Sequence, residues 1–180
     1  AMIALFSSTH QISIRSIVVV AFVSIWTLRL GTFLYKRIVK SGEDKRFREI
    51  KKSLPKFLMT WTLSALWVFL TTVNAVTIIV LNQQGPLDLF FVAGCTLWIL
   101  GFAFEAIADK QKKSFSELSD NKDKFITQGL WSISRHPNYF GEVILWLGIA
   151  IVSLPLLSGW QFVTLVSPVF VYLLLTKISG

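Results

Sequence analysis

Residues 87–108 read LDLFFVAGCTLWILGFAFEAIA, and their reading decides the fold. From Leu89 to Phe104 no residue carries a charge. A helix needs roughly 20 mostly apolar residues to cross the hydrocarbon core of a bilayer, and Leu87 to Ala108 meets that requirement. Working outward, four further stretches qualify. One runs from about Ile12 to Tyr35, with Arg15 and Arg29 inside it, and one from about Leu54 to Leu81. A third runs from about Tyr139 to Leu154. It is short and stops at Pro155, which allows a slanted or partly re-entrant helix. The last runs from about Gly159 to Thr176. The expected fold is all-α: a polytopic transmembrane helical bundle of about five spans, with residues 1–180 forming a single transmembrane domain.

Charge supports the same count. Only 16% of the residues are charged, against about 25% in a soluble domain, and they are bunched. Nine basic residues fall between Lys36 and Lys56, and six between Lys110 and Arg135. The other two connections, Asn82–Pro86 and Pro155–Ser158, have none, while Lys177 follows the last span. Alternation of basic and non-basic loops places both basic loops in the cytoplasm and the N-terminus outside it. That terminus lacks the basic n-region and small-residue cleavage site of a signal peptide. Within the long loop after Ala108, the sequence predicts a helical continuation from Lys110 to about Leu118. Turns are expected at Ser119–Lys122 and at Thr127–Gly129.

The net charge of +8 excludes little by itself, since basic excess suits nucleic acid, anionic lipid or an anionic small molecule. Basic residues confined to short loops between apolar spans form no solvated groove for nucleic acid. Membrane lipid head groups or a phosphorylated cofactor fit better. No metal centre is expected, because His10 and His136 are the only histidines and neither has a second imidazole at ligand spacing. The single cysteine, Cys95, lies mid-span with no histidine nearby in sequence. It reads as a small buried apolar residue rather than a thiol nucleophile.

Ionisable residues within a span are costly and mark function. Glu105 and Asp109 are four apart and share a helical face near the end of their span. They need a counter-charge, for which Arg29 is a candidate; alternatively they reach interfacial water and lysines, and Arg29 snorkels to the interface. The densest constellation is Ser134-Arg-His-Pro-Asn-Tyr-Phe-Gly-Glu142. Pro137 suits a helix's first turn, and the free N–H groups there, with Arg135 and His136 just ahead, make an anion site. Asn138, Tyr139 and Glu142 add hydrogen-bonding groups, Asn138 and Glu142 on one face. The same residues would also serve as an aromatic and basic interface anchor.

Four segments in order carry a resemblance: Trp26-Thr-Leu-Arg-Leu-Gly31, Gly42-Glu-Asp-Lys-Arg-Phe47, Phe104-Glu-Ala-Ile-Ala-Asp-Lys-Gln-Lys112 and Gly129-Leu-Trp-Ser-Ile-Ser-Arg-His-Pro-Asn-Tyr-Phe-Gly-Glu142. Together they resemble a bacterial and plant family of membrane reductases related to the C-terminal domain of steroid 5-alpha-reductases. The last segment alone is also similar to stretches of sterol C14- and C7-reductases and of isoprenylcysteine and phospholipid methyltransferases. The resemblance implies a helical bundle holding NADPH in a cavity open to the cytoplasm. It implies reduction of an activated carbon–carbon double bond in a steroid- or lipid-like enone. By motif, Arg29, Glu105, Asp109, Arg135, His136, Asn138, Tyr139 and Glu142 would contact the cofactor, with Tyr139 also a candidate proton donor. The classical reductases carry Asn where Glu105 stands. In that family the acid that binds the substrate carbonyl comes from elements nearer the N-terminus, and a basic aromatic stretch follows the last span. The chain is therefore expected to be incomplete at both ends. Two other readings stay open: an S-adenosylmethionine-dependent methyltransferase acting on a lipid or prenylcysteine, and a non-catalytic lipid-binding membrane protein.

Overall fold

A backbone in lipid must satisfy its own hydrogen bonds, and a helix does so within one segment. The structure, a computed structural model, describes residues 11–41, 50, 52–118, 121 and 124–178. His10, the Gly42–Phe47 motif, Arg48, Lys51 and most of the Ser119–Lys122 turn lie outside the described residues. Among the described residues five α-helices follow one another: α1 Ile14–Ser41, α2 Leu54–Leu81, α3 Leu89–Glu117, α4 Pro137–Ser153 and α5 Val166–Leu173. No strand occurs among the described residues. Five segments are long and apolar enough to cross a membrane, namely Ile14–Lys36, Leu54–Leu81, Leu89–Glu117, Pro137–Leu156 and Gly159–Lys177. The expected all-α polytopic architecture holds, and the chain is an integral membrane protein. Its outward faces are correspondingly apolar, with Leu28, Met59, Val68, Leu89 and Ile99 all exposed.

Local chemistry sets the ends. Pro55 and Pro137 occupy first turns, where a missing N–H costs nothing. The α2 helix stops at Asn82, whose φ of 44° is left-handed and whose N–H returns to the Ile78 carbonyl. The α3 helix starts at Asp88, whose carboxylate accepts the Phe91 N–H at 2.9 Å. As expected, α3 continues past Lys110, to Glu117. The fourth span differs from its expected end at Leu154, because a 3-10 turn at Leu154–Leu156 carries the chain on through Pro155. The fifth span is not one regular helix. A 3-10 segment, Gly159–Leu165, leads into α5, and a π turn, Leu174–Ile178, follows it. Pro168 has no N–H to offer the Thr164 carbonyl, so regular α-geometry does not extend back through that turn.

The tightest packing joins α3 to α4, antiparallel, through glycines seven residues apart. A Cβ built on Gly94 would lie 2.6 Å from the Gly148 carbonyl oxygen, and one on Gly101 would lie 2.7 Å from that of Gly141. The converse contacts, Gly148 to Gly94 and Gly141 to Gly101, are 2.6 and 2.7 Å. Membrane helices have no hydrophobic drive to associate with one another, so small residues that let backbones touch supply the dispersion contact instead.

The α1 helix runs parallel to α3 and is clamped to it by two guanidinium groups, one at its start and one near its middle. At one end Arg15, 2% exposed, donates to the Val152 carbonyl at 3.0 Å and the Pro86 carbonyl at 2.8 Å. It also pairs with Asp88 at 2.8 Å. About four turns on, Arg29 meets Glu105 and Asp109. Between the clamps, Phe22 stacks on Trp98 with centroids 4.0 Å apart, and Trp26 meets Trp146 edge-on at 5.1 Å. Polar contacts also join α2 to the fourth and fifth spans, where Asn74 donates to Ser153 at 3.0 Å and Thr164 at 3.1 Å. Ser167 donates to the Thr71 carbonyl in the same layer.

Asp88 lies just outside the span, so its titration is legible. The Phe91 N–H, and then Arg15, hold its carboxyl below the ordinary 3.8. A depressed folded-state value means that this contribution to stability is complete above the unfolded value. It is lost as pH falls through the folded one. Asp88→Asn is expected to lower the unfolding midpoint at pH 7 and to flatten its decline below about pH 4. An unchanged acid limb in thermal unfolding would show that other carboxylates carry it.

Candidate functional site

The α3–α4 seam decides which side chains meet at the end opposite Arg15. Because Gly101 abuts Gly141, the next turn of α3 brings Glu105 against the first turns of α4. A Cβ on Gly141 would lie 2.6 Å from the Glu105 backbone nitrogen. Asp109, one turn on, comes alongside Asn138. The α1 helix delivers Arg29 into the same place. Its Nη1 donates to Glu105 Oε1 at 2.5 Å and its Nη2 to Asp109 Oδ2. The guanidinium lies 5.5 Å from the centroid of the Phe102 ring. Both sequence alternatives for the carboxylates are thereby decided: Arg29 is their counter-charge.

Burial makes this a demanding arrangement. Glu105 is 6% exposed, Arg29 19% and Asp109 22%. Glu142, half-buried, lies within electrostatic reach of all three. Two carboxylates therefore share one guanidinium, whose two terminal nitrogens are already engaged. Two acceptors remain: Glu105 Oε2 and Asn138 Oδ1 are buried without a hydrogen-bond partner. A buried unpaired acceptor costs about 1–3 kcal/mol. Both stand ready for donors from a ligand that carries N–H or O–H groups.

Of the residues singled out in the sequence, Arg29, Glu105, Asp109, Asn138 and Glu142 form one cluster. Tyr139 is half-buried against the core, and its ring stacks on His136 at 4.7 Å. Arg135 and His136 stand apart and exposed. They precede the first turn of α4.

Other supporting residues were not singled out for the site in the sequence, although a turn was expected at Thr127–Gly129. Gly129 has a φ of +59° and packs on Gln111. Gln111 Oε1 accepts the Leu130 N–H at 3.0 Å. Trp131 Nε1 donates to the Ala108 carbonyl at 3.0 Å, beneath Lys112 at 4.8 Å. These contacts pin the loop before α4 to α3 and fix the approach of Asn138. An amide two residues beyond Asp109 and a tryptophan six residues ahead of Pro137 were the available clues.

Residues 1–180 match the family described as "Protein of unknown function (DUF1295)". Among curated proteins, the chain is similar to the 3-oxo-5-alpha-steroid 4-dehydrogenase 1 of Bos taurus, 31% identical over 72 residues. That match covers 40% of this chain and 28% of the relative. It is also similar to the steroid 5-alpha-reductase DET2 of Gossypium hirsutum, 32% identical over 63 residues, covering 35% of this chain and 24% of the relative. The matched part thus spans about a quarter of each relative's length. No solved structure matches the chain.

Proposed function

The chain belongs to the DUF1295 family, and from that premise we propose that it forms the cofactor-holding part of a membrane reductase. The reaction is NADPH-dependent reduction of an activated carbon–carbon double bond in a steroid- or lipid-like enone. The observation that carries this reading is the Arg29–Glu105–Asp109 cluster, with two buried acceptors left open beside it.

The residues fit the group. Glu105 Oε2 and Asn138 Oδ1 would accept from the carboxamide or the ribose hydroxyls. Arg29 holds Glu105 and Asp109 in position for it. The exposed Arg135 and His136 would meet the phosphates, including the extra one of NADPH. Glu142 closes the cluster on the α4 side. We place this end at the cytoplasmic face, where basic loops gather and NADPH is available.

When bound, NADPH supplies the hydride to the β-carbon of the enone. Negative charge then builds on the substrate's carbonyl oxygen, and a donor must meet it. Tyr139, on the first turn of α4, is the donor this chain offers. The Phe102 and Trp98 rings, 5.0 Å apart, floor the site and exclude water, which strengthens each polar contact.

Calorimetry on the chain in lipid nanodiscs tests the reading, with NADPH and with S-adenosylmethionine as separate ligands. NADPH is expected to give a saturable heat and S-adenosylmethionine none. Asn138→Leu, which deletes one open acceptor, should weaken NADPH about tenfold, the loss of one hydrogen bond at the upper end of its usual worth. Arg135→Ala should weaken it in a salt-dependent way. Heat from S-adenosylmethionine alone would replace the reductase with a methyltransferase. Equal NADPH binding by wild type and both variants would overturn the residue assignment.

A further inference from the structure

The seam between α1 and α3 opens sideways into a groove of about 420 Å³, lined by Leu28, Arg29, Thr32, Phe33, Lys36 and Lys113. Its walls are of two kinds. Leu28 and Phe33 are exposed apolar surface. Lys36 and Lys113 stand on the two parallel helices, one on each side of the mouth. The remaining polar groups are already engaged. Arg29 is held by Glu105 and Asp109, and the Thr32 hydroxyl donates to the Leu28 carbonyl at 2.6 Å. No carboxylate among the described residues lines the groove. Lys113 has only a loose contact with Glu117 at 3.8 Å, both side chains being about half exposed. Lys36 makes no ion pair among the described residues. Like charges facing each other across a gap repel unless an anion lies between them.

Depth identifies the anion. Lys36 is the last residue of the apolar span Ile14–Lys36, so the mouth lies at head-group level. Arg29, seven residues back, lies about 10 Å deeper, at 1.5 Å of rise per residue. We infer that the groove binds one anionic phospholipid of the surrounding bilayer, its phosphate between Lys36 and Lys113 and an acyl chain along Leu28 and Phe33. A small anion would leave the apolar wall unused. The inference does not depend on the reductase reading, since neither lysine belongs to the cluster assigned to NADPH.

The test compares spin-labelled phosphatidylglycerol with spin-labelled phosphatidylcholine around the chain in phosphatidylcholine nanodiscs, without nucleotide. Wild type should immobilise phosphatidylglycerol preferentially, with a contribution of about fivefold per lysine. Lys36→Ala/Lys113→Ala should lose that preference, while Lys56→Ala/Lys177→Ala, which removes two other basic residues, should keep it. Unchanged unfolding midpoints will show that the exposed substitutions leave the fold intact. Equal preference in the two double variants, or no preference in wild type, overturns the site. Displacement of the labelled lipid by 10 mM inorganic phosphate would make it a small-anion site instead. A groove variant that loses NADPH affinity but keeps its lipid preference would also overturn the inference.

Discussion

Arg29→Met is expected to lower the unfolding free energy by about 2–4 kcal/mol. Removing one partner of a buried ion pair typically costs 3–5 kcal/mol, because the charge left behind is uncompensated. Here two carboxylates are left behind. The 19% exposure of Arg29 and the 22% of Asp109 let some water in, which places the loss toward the lower part of that range. Arg29→Lys should fall between, since an ammonium cannot present two parallel donors to two carboxylates. The decisive variant is Arg29→Met/Glu105→Gln/Asp109→Asn. Exchanging all partners for neutral groups is often nearly neutral, so this triple should recover most of the loss. Denaturant unfolding in mixed micelles measures all three. A triple variant as unstable as Arg29→Met would show that the loss came from packing of the arginine stem, not from stranded charge.

The sequence made this cluster legible because each member violates a rule of membrane helices. Glu105, Asp109 and Arg29 are ionisable groups within or beside apolar spans, and the fold brings opposite charges together. The spans were legible for the same reason, as uncharged runs bounded by basic loops. Arg15 was also visible as an anomaly, but its partners were not. Asp88 lies at a helix start, and the Pro86 and Val152 carbonyls become available only once the chain has turned two and three times. The exposure of Arg135 and His136 could not be read from the motif, since it depends on where α4 begins and which face the glycine seam buries. The break in the fifth span had a written cause in Pro168, which hydropathy alone passes over. Gly94, Gly101, Gly141 and Gly148 were equally visible, seven apart in two pairs. Their meaning depends on α3 and α4 being neighbours, and no single span reveals that.

Those glycines should produce the other large effect: Gly101→Ala and Gly141→Ala are each expected to cost about 3 kcal/mol, whereas Gly31→Ala should be neutral or stabilise by up to about 1 kcal/mol. The chemical change is identical, so only the surroundings decide. A Cβ on Gly31 meets nothing within 4 Å, and in the middle of α1 it gains helix propensity. A Cβ on Gly101 falls 2.6 Å from the Leu145 nitrogen and 2.7 Å from the Gly141 oxygen. These are backbone atoms, so no rotamer change relieves the overlap and the helices must part. Parting them weakens dispersion contact along the whole seam, which explains why one methyl group costs so much. It also draws Asn138 and Glu142 away from Glu105, so Gly141→Ala should weaken NADPH binding as well as stability. The two substitutions share one seam and should not add: once the first has separated the helices, the second finds room. A Gly101→Ala/Gly141→Ala variant that loses the full sum in denaturant unfolding would mean that the seam yields locally at each glycine. In that case α3 and α4 do not move as rigid rods, and the coupling between seam and site fails with them.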